Sequence, residues 1–193
     1  MAEVRPMPGL MSAFARFYVD PRGSMRRLLD RKPSEATLLI IMVTGILIVM
    51  AGRVVQIQLL YANAEDRADI LQSMIYSMLF LMPLFYYAFA AIGSAIARAC
   101  GGQGGWRDGR AAFFWAVLVA APVQVLSAVL PLFLAGVPPE VSTVTAQIGG
   151  VFFAWALAQC FAEAFGFART WLVFVLVCMP FMLIWAAAWL MRG

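Results

Sequence analysis

The chain has 193 residues, of which 64% are hydrophobic and 12% are charged, and this composition lies outside the range of soluble globular domains. It contains no histidine and only three cysteines, without CxxC spacing, which excludes His-based haem, zinc and catalytic sites and gives no sign of a redox pair. The net charge of +4 comes from basic residues that flank apolar stretches, so we expect no nucleic-acid binding.

Residues 1–36 are predicted to form a cytoplasmic segment with two apolar stripes at helical spacing. A turn at Asp20-Pro21-Arg22-Gly23 separates the stripes, so two short amphipathic helices are expected. On the cytoplasmic leaflet, such helices would bury their stripes and place arginines among anionic headgroups; docking onto a protein partner is the alternative. The stripes consist of Leu10, Met11, Phe14, Phe17 and Tyr18, and then of Met25, Leu28 and Leu29.

Residues 37–193 contain five long apolar stretches and are predicted to form the transmembrane domain. At about 1.5 Å per residue, each stretch is long enough to cross a hydrocarbon layer of about 30 Å. Because lipid offers no partners for backbone polar groups, each crossing should be an α-helix. We therefore predict an all-α membrane protein with five spans, at about 37–60, 72–97, 111–135, 144–165 and 170–191.

The positions of lysine and arginine predict the orientation of the chain. Eleven of these residues lie before the first span, after the second or after the fourth, and three lie on the opposite side. By the positive-inside rule, the N-terminus faces the cytoplasm and the C-terminus the other compartment. Arg53, near the outer end of the first stretch, should either reach water along its own stem or bind a polar group such as Gln56.

Two loops carry charge or glycine patterns that resemble ligand sites. The outer loop has Glu65, Asp66 and Asp69 without EF-hand spacing, so no metal site is predicted there. The inner loop at residues 101–110 is rich in glycine but lacks the GK[ST] sequence and the preceding strand of a phosphate-binding loop. We expect a flexible turn with Trp106 at the headgroup level. The candidate contacts for lipid or a partner are Arg22, Arg26, Arg27, Trp106, Arg107 and Arg110.

Few polar residues and several prolines interrupt the predicted spans. Polar side chains there are expected to hydrogen-bond across helices, and prolines to kink helices for packing or, alternatively, to mark a transport path. The candidate intramembrane polar contacts are Gln124, Gln159 and Glu163. The prolines are Pro83, Pro122, Pro131 and Pro180. Small residues predict a closely packed face on the fourth span, formed by Gly149, Gly150, Ala154 and Ala158.

Two short segments and the order of the spans resemble the Yip family of membrane proteins. The first combines Asp20-Pro21-Arg22 with Arg26-Arg27-Leu28-Leu29, and the second runs from Gly101-Gly102 through Trp106-Arg107-Asp108-Gly109-Arg110 to Trp115. The resemblance implies a bacterial five-span protein of the inner membrane, with its C-terminus in the periplasm and no assigned chemistry. Eukaryotic relatives bind Rab GTPases, but their long acidic N-terminal region has no counterpart here, so Rab binding is not carried over.

The sequence therefore predicts a non-enzymatic scaffold or adaptor for other membrane proteins or for lipid organisation. No acid, base and nucleophile occur together, and no catalytic residue, metal or cofactor is expected. The expected partners are membrane lipids and other membrane proteins or further copies of the chain. An accessory subunit of a larger membrane complex and a small transporter or channel are the alternatives.

Overall fold

A computed structural model describes residues 10–61, 65–133 and 139–175 of the protein. In these ranges every regular element is helical, and four helical segments are long and apolar enough to cross a membrane: 35–60, 67–99, 106–133 and 147–165. The all-α fold is thus confirmed, with four candidate membrane spans among the described residues in place of the five predicted. Residues 170–175 are helical, and the rest of the predicted fifth span, with Cys178 and Pro180, lies outside the described residues. The helices are α1 (Leu10–Phe17), α2 (Pro21–Asp30), α3 (Glu35–Leu60), α4 (Arg67–Tyr76), a π-helical turn (Ser77–Leu81), α5 (Met82–Ala99), α6 (Trp106–Phe133) and α7 (Pro139–Phe165).

The observed helices begin earlier than the apolar stretches that predicted them. Ser34 caps α3, with its hydroxyl accepting a hydrogen bond from the backbone N–H of Thr37 at 3.2 Å, so the helix starts at Glu35 instead of residue 37. Likewise, α4 starts at Arg67 and α6 at Trp106, each five residues before the predicted span. The reason is that a helix can continue beyond the hydrocarbon layer into polar surroundings, whereas hydrophobicity marks only its lipid-facing part.

Helix α6 lies at the centre of the bundle. Every side chain from Ala111 to Ala121 is buried, so α6 is surrounded by neighbours along this stretch. Two glycines of α3 allow close approach to it: a Cβ at Gly45 would lie 2.9 Å from Val117, and one at Gly52 would lie 2.7 Å from Val125. Helices α5 and α7 pack against α6 as well.

Three of the four residues on the predicted small-residue face of α7 are buried. A Cβ at Gly149 would lie 2.5 Å from the Ser127 hydroxyl, and Ala154 and Ala158 are buried. The expectation for Gly150 was wrong, because this residue has no neighbouring atom within 4 Å and faces away from the contact. Gly149 therefore contacts α6, and Ala154 and Ala158 are buried in the bundle.

Proline and arginine inside the spans are accommodated locally. Before Pro83, the helix widens into a π-helical turn in which the N–H of Met82 donates to the carbonyl of Ser77, five residues back. Helix α6 continues through both Pro122 and Pro131. Arg53 is exposed and donates to the side-chain carbonyl of Gln56 at 2.7 Å, which confirms the polar partner named among the alternatives.

Candidate functional site at the basic end

One end of the bundle carries an excess of positive charge, and we call it the basic end. It is formed by α2 and the link to α3, by the loop between α5 and α6, and by the last turn of α7. Residues 20–35, 98–110 and 163–169 contain nine basic and five acidic side chains. All six predicted contacts for lipid or a partner lie in these segments, together with Glu163.

Glu163, near the end of α7, is the centre of a three-residue ion cluster. Arg22 and Arg26 each donate from Nε to one of its carboxylate oxygens, at 2.9 Å and 2.6 Å. The Glu163 side chain is only 9% exposed, and two cations offset the cost of burying its charge. The hydrogen bond to Glu163 raises the pKa of Arg26. Glu163 thus joins α7 to α2, and its predicted contact across helices is made with the N-terminal segment.

Local sequence sets the start of α2 so that both arginines face α7. Asp20 is the N-cap and accepts a hydrogen bond from the backbone N–H of Gly23 at 2.9 Å, while Pro21 occupies the first turn. Arg22 and Arg26 are four positions apart, so both lie on one face of the helix. Arg22 also donates to the backbone carbonyl of Phe167 at 3.0 Å, just beyond the end of α7.

The apolar stripes of α1 and α2 pack against the protein's own bundle. Phe17 and Met25 are fully buried and Leu28 is 6% exposed, all within the main hydrophobic core. The expectation that the leaflet buries these three residues was wrong, because α6 and α7 provide an apolar surface for them. The two helices also contact each other, and the Ser24 hydroxyl donates to the carbonyl of Ala13 at 2.8 Å. We call α1 and α2 the N-terminal helix pair.

Tyr18, which is 42% exposed, links the N-terminal helix pair to α6 and α7. Its ring stacks on Phe152 of α7 at a centroid distance of 6.0 Å, and its hydroxyl donates to the carbonyl of Val119 at 2.7 Å. Val119 is near the middle of α6. The residue before it, Leu118, has a backbone carbonyl without a helical donor, because Pro122 lacks an N–H. The carbonyl that Tyr18 binds is thus next to the one that Pro122 leaves without a helical donor. Burial raises the pKa of Tyr18.

The glycine-rich loop forms the turn that was expected to end the second span, and it packs against the end of α7. Gly101, at φ +89°, ends α5, and the N–H of Gly102 then returns to the carbonyl of Ala97 at 2.9 Å. The N–H of Gln103 donates to the carbonyl of Phe165 at 3.1 Å. A Cβ at Gly104 would lie 2.4 Å from the carbonyl oxygen of Ala164, so only glycine fits this approach.

The three aromatic and basic residues that follow the loop all have partners within the protein. Arg107 donates to the carbonyls of Lys32 and Pro33, and Arg110 forms an ion pair with Glu35. Trp106 is half exposed, and the guanidinium of Arg98 lies 5.2 Å from the centre of its ring. These contacts fix the α2–α3 link to the start of α6.

The remaining predicted site residues are not part of the ion cluster. Arg27 lies 3.8 Å from Asp20. Gln124 and Gln159 are half-buried on α6 and α7.

Contact of the six candidate residues with lipid or with a partner stays a prediction. Among the described residues, no three His, Cys, Asp or Glu side chains come together as a metal site would require.

The sequence identified the arginines and the glycine-rich loop of the basic end, but it did not identify the groups that they contact. The contacts of Glu35, Phe165 and Phe167 were not foreseen. For Glu35 a signal exists, since it is an acidic residue in the first turn after a serine N-cap, where it is available to a nearby arginine. The carbonyls of Phe165 and Phe167 have no sequence signal.

Comparison with known families agrees with this architecture. The family model described as the Yip1 domain matches residues 15–191, which include α2, the ion cluster, the glycine-rich loop and all four described spans. The resemblance drawn from the two short motifs is thereby confirmed. No curated protein and no solved structure shows significant similarity to the chain.

Proposed function

Because this chain belongs to the Yip1 domain family, we propose that it is a non-enzymatic scaffold or adaptor for other membrane proteins or for lipid organisation. The single observation that carries the proposal is the ion cluster of Glu163 with Arg22 and Arg26. It holds the N-terminal helix pair on the bundle, so that the basic end is one folded surface. A surface organised before binding loses less entropy when a partner docks.

In the same proposal, the chain lies in a bacterial inner membrane with the basic end in the cytoplasm. The charge difference between the two ends supports this orientation: the loop at residues 61–69 has three acidic residues and one basic residue, against the surplus of positive charge at the basic end. With residues 170–191 as a fifth span, the C-terminus would lie in the periplasm.

The experiment that tests the adaptor function is site-specific photo-crosslinking in intact membranes. A photoreactive amino acid replaces Trp106, which is 48% exposed at the basic end, or Tyr76, which is 56% exposed near the opposite end. We expect reproducible crosslinks to one or a few membrane proteins from position 106 and not from position 76. Adding Glu163→Gln should reduce them, because the N-terminal helix pair is then held less firmly on the bundle.

Three results would contradict the proposal. Crosslinks that are equal from both positions and unaffected by Glu163→Gln would mean random collision in the membrane. Turnover of a substrate by the purified protein alone would show an enzyme, and a solute flux in vesicles that changes with Gln124→Leu would favour the transporter.

A further inference from the structure

A cavity of about 510 Å³ opens at the basic end, beside the ion cluster and outside the six predicted contact residues. Its volume is in the range of about 300–1,000 Å³ that small-molecule sites occupy. It lies where the end of α5 meets the turn after α7. Its walls are formed by Cys100, Phe167, Ala168, Arg169, Leu172 and Val173.

The cavity is polar at one end and apolar at the other. Arg169 is exposed at the start of the helical segment 170–175, and in the described part of the chain its side chain forms no ion pair or hydrogen bond. Val173 is buried four residues further along, which is about 6 Å deeper at the rise of a helix. A ligand that fills the cavity therefore needs a charged group next to an apolar body.

The charges around the cavity favour an anion. Arg22 and Arg26 share the single carboxylate of Glu163, so the ion cluster keeps a net positive charge. Arg22 reaches the cavity wall directly, since it donates to the carbonyl of Phe167 at 3.0 Å. Arg169 adds a second positive charge that has no acidic partner among the described residues.

The residues around the cavity opening are those expected at a membrane surface. It opens where α5 and α7 end in glycine-containing turns at Gly101 and Gly166. Trp171, at 60% exposed, is next to the wall residue Leu172, and exposed tryptophans of membrane proteins concentrate at the headgroup level. Phospholipid headgroups are therefore present at this opening at high local concentration.

We propose that this cavity binds an anionic glycerophospholipid, with Arg169 contacting the phosphate and with Phe167, Leu172 and Val173 contacting the glycerol backbone and the first part of the acyl chains. A free phosphate ion would use only the charged end and leave the apolar wall uncovered, so the occupant is a lipid. The inference concerns lipid binding alone and does not depend on whether the protein is an adaptor.

Native mass spectrometry of the full chain in mild detergent tests the proposal, with phosphatidylglycerol and phosphatidylcholine as probes. We expect the wild type to retain phosphatidylglycerol in preference to phosphatidylcholine. Arg169→Gln should weaken retention of phosphatidylglycerol about fivefold. This factor corresponds to about 1 kcal/mol, which is the contribution of one arginine near an anionic membrane surface. Val173→Trp, which fills the deep end, should weaken retention of both lipids.

The matched control is Arg16→Gln, which removes an exposed arginine from α1 and should change retention little. Equal retention of the two lipids by the wild type, or equal losses in Arg16→Gln and Arg169→Gln, would overturn the proposal. So would full displacement of the lipid by inorganic phosphate, which would identify a phosphate site. If Val173→Trp does not fold, Arg169→Gln still decides, because its side chain is exposed.

Discussion

The two sides of the central helix α6 are built from different kinds of contact. Towards α5 the contacts are aromatic, and the ring centroids of Tyr87 and Phe114 lie 5.0 Å apart. The opposite, outer surface of the second span is exposed, as at Phe80 and Leu84. Towards α7 and the N-terminal helix pair, apolar packing is combined with directional bonds such as that from Tyr18 to the carbonyl of Val119.

This difference indicates where the structure is specific. Lipid chains are as apolar as leucine, so apolar contact alone does not favour protein over lipid around a membrane helix. Ion pairs and hydrogen bonds do, because lipid chains cannot replace them. The position of the N-terminal helix pair is therefore strongly determined, whereas the second span presents a surface that lipid or another helix can cover equally well.

A matched pair of leucines should show the largest difference between the two regions. Leu28→Ala removes a side chain that is 6% exposed in the core, and Leu84→Ala removes one that is 65% exposed on the second span. We expect Leu28→Ala to lower the favourable free energy of docking of the N-terminal helix pair by about 2 kcal/mol. This value is at the low end of the range for a buried leucine, because the detached segment can bury its apolar residues in lipid. Leu84→Ala should stay within about 0.5 kcal/mol.

Hydrogen exchange of the α2 backbone amides in wild type and both variants measures this effect. Protection of α2 should fall in Leu28→Ala and remain at the wild-type level in Leu84→Ala. Equal protection in the two variants would mean that the apolar stripe is not buried by the bundle, and the leaflet would again be its expected environment.

The ion cluster should have the next largest effect. Glu163→Gln leaves Arg22 and Arg26 without their shared carboxylate, so we expect proteolysis within α2 to become about tenfold faster, as for the loss of a charged hydrogen bond. Glu35→Gln is the control, since it removes the 55%-exposed partner of Arg110 and leaves α2 attached. Similar cleavage in both variants would show that general loss of charge, and not Glu163, controls docking.

Sequence alone predicts the spans of this protein but not what covers them. Length and apolar character are local properties, so the four described spans could be read from the chain. The apolar stripe with Phe17 and Met25 is equally local, but an amphipathic helix has the same pattern whether lipid or protein buries it. Only the folded bundle decides between these environments.

The pairs within the basic end could not be predicted for a related reason. Arg22 is separated from Glu163 by 141 positions, and in the sequence it has the same features as any arginine beside a membrane span. Glu163 could be recognised as a polar residue near a span end, but its partner depends on how α2 returns to α7. The glycine-rich loop was likewise identified, while its contact with Phe165 depends on the same packing.

Removing one directional bond on the α7 side should have a smaller effect. Tyr18→Phe keeps the ring on Phe152 but removes the hydroxyl that donates to the carbonyl of Val119. We expect a loss of about 1 kcal/mol in docking of the N-terminal helix pair, measured by exchange of its amides. Tyr76→Phe, at an exposed tyrosine of the second span, should change nothing, and equal effects of the two substitutions would contradict the comparison.

The smallest effect is a dependence on high pH that comes from the same tyrosine. Burial raises the pKa of Tyr18 above its ordinary value of about 10. Tyr18 therefore keeps its hydroxyl proton to a higher pH when the helix pair is docked on the bundle than when it is detached. The contribution of Tyr18 to docking is therefore complete below about pH 10 and is lost as the pH rises through the higher pKa of the docked state. Spectrophotometric titration of wild type, with the Tyr18→Phe curve subtracted, isolates this residue. Glu163→Gln, which weakens docking of the helix pair, should shift the pKa of Tyr18 towards its ordinary value. An identical titration with and without Glu163 would mean that the cluster does not hold Tyr18 in place.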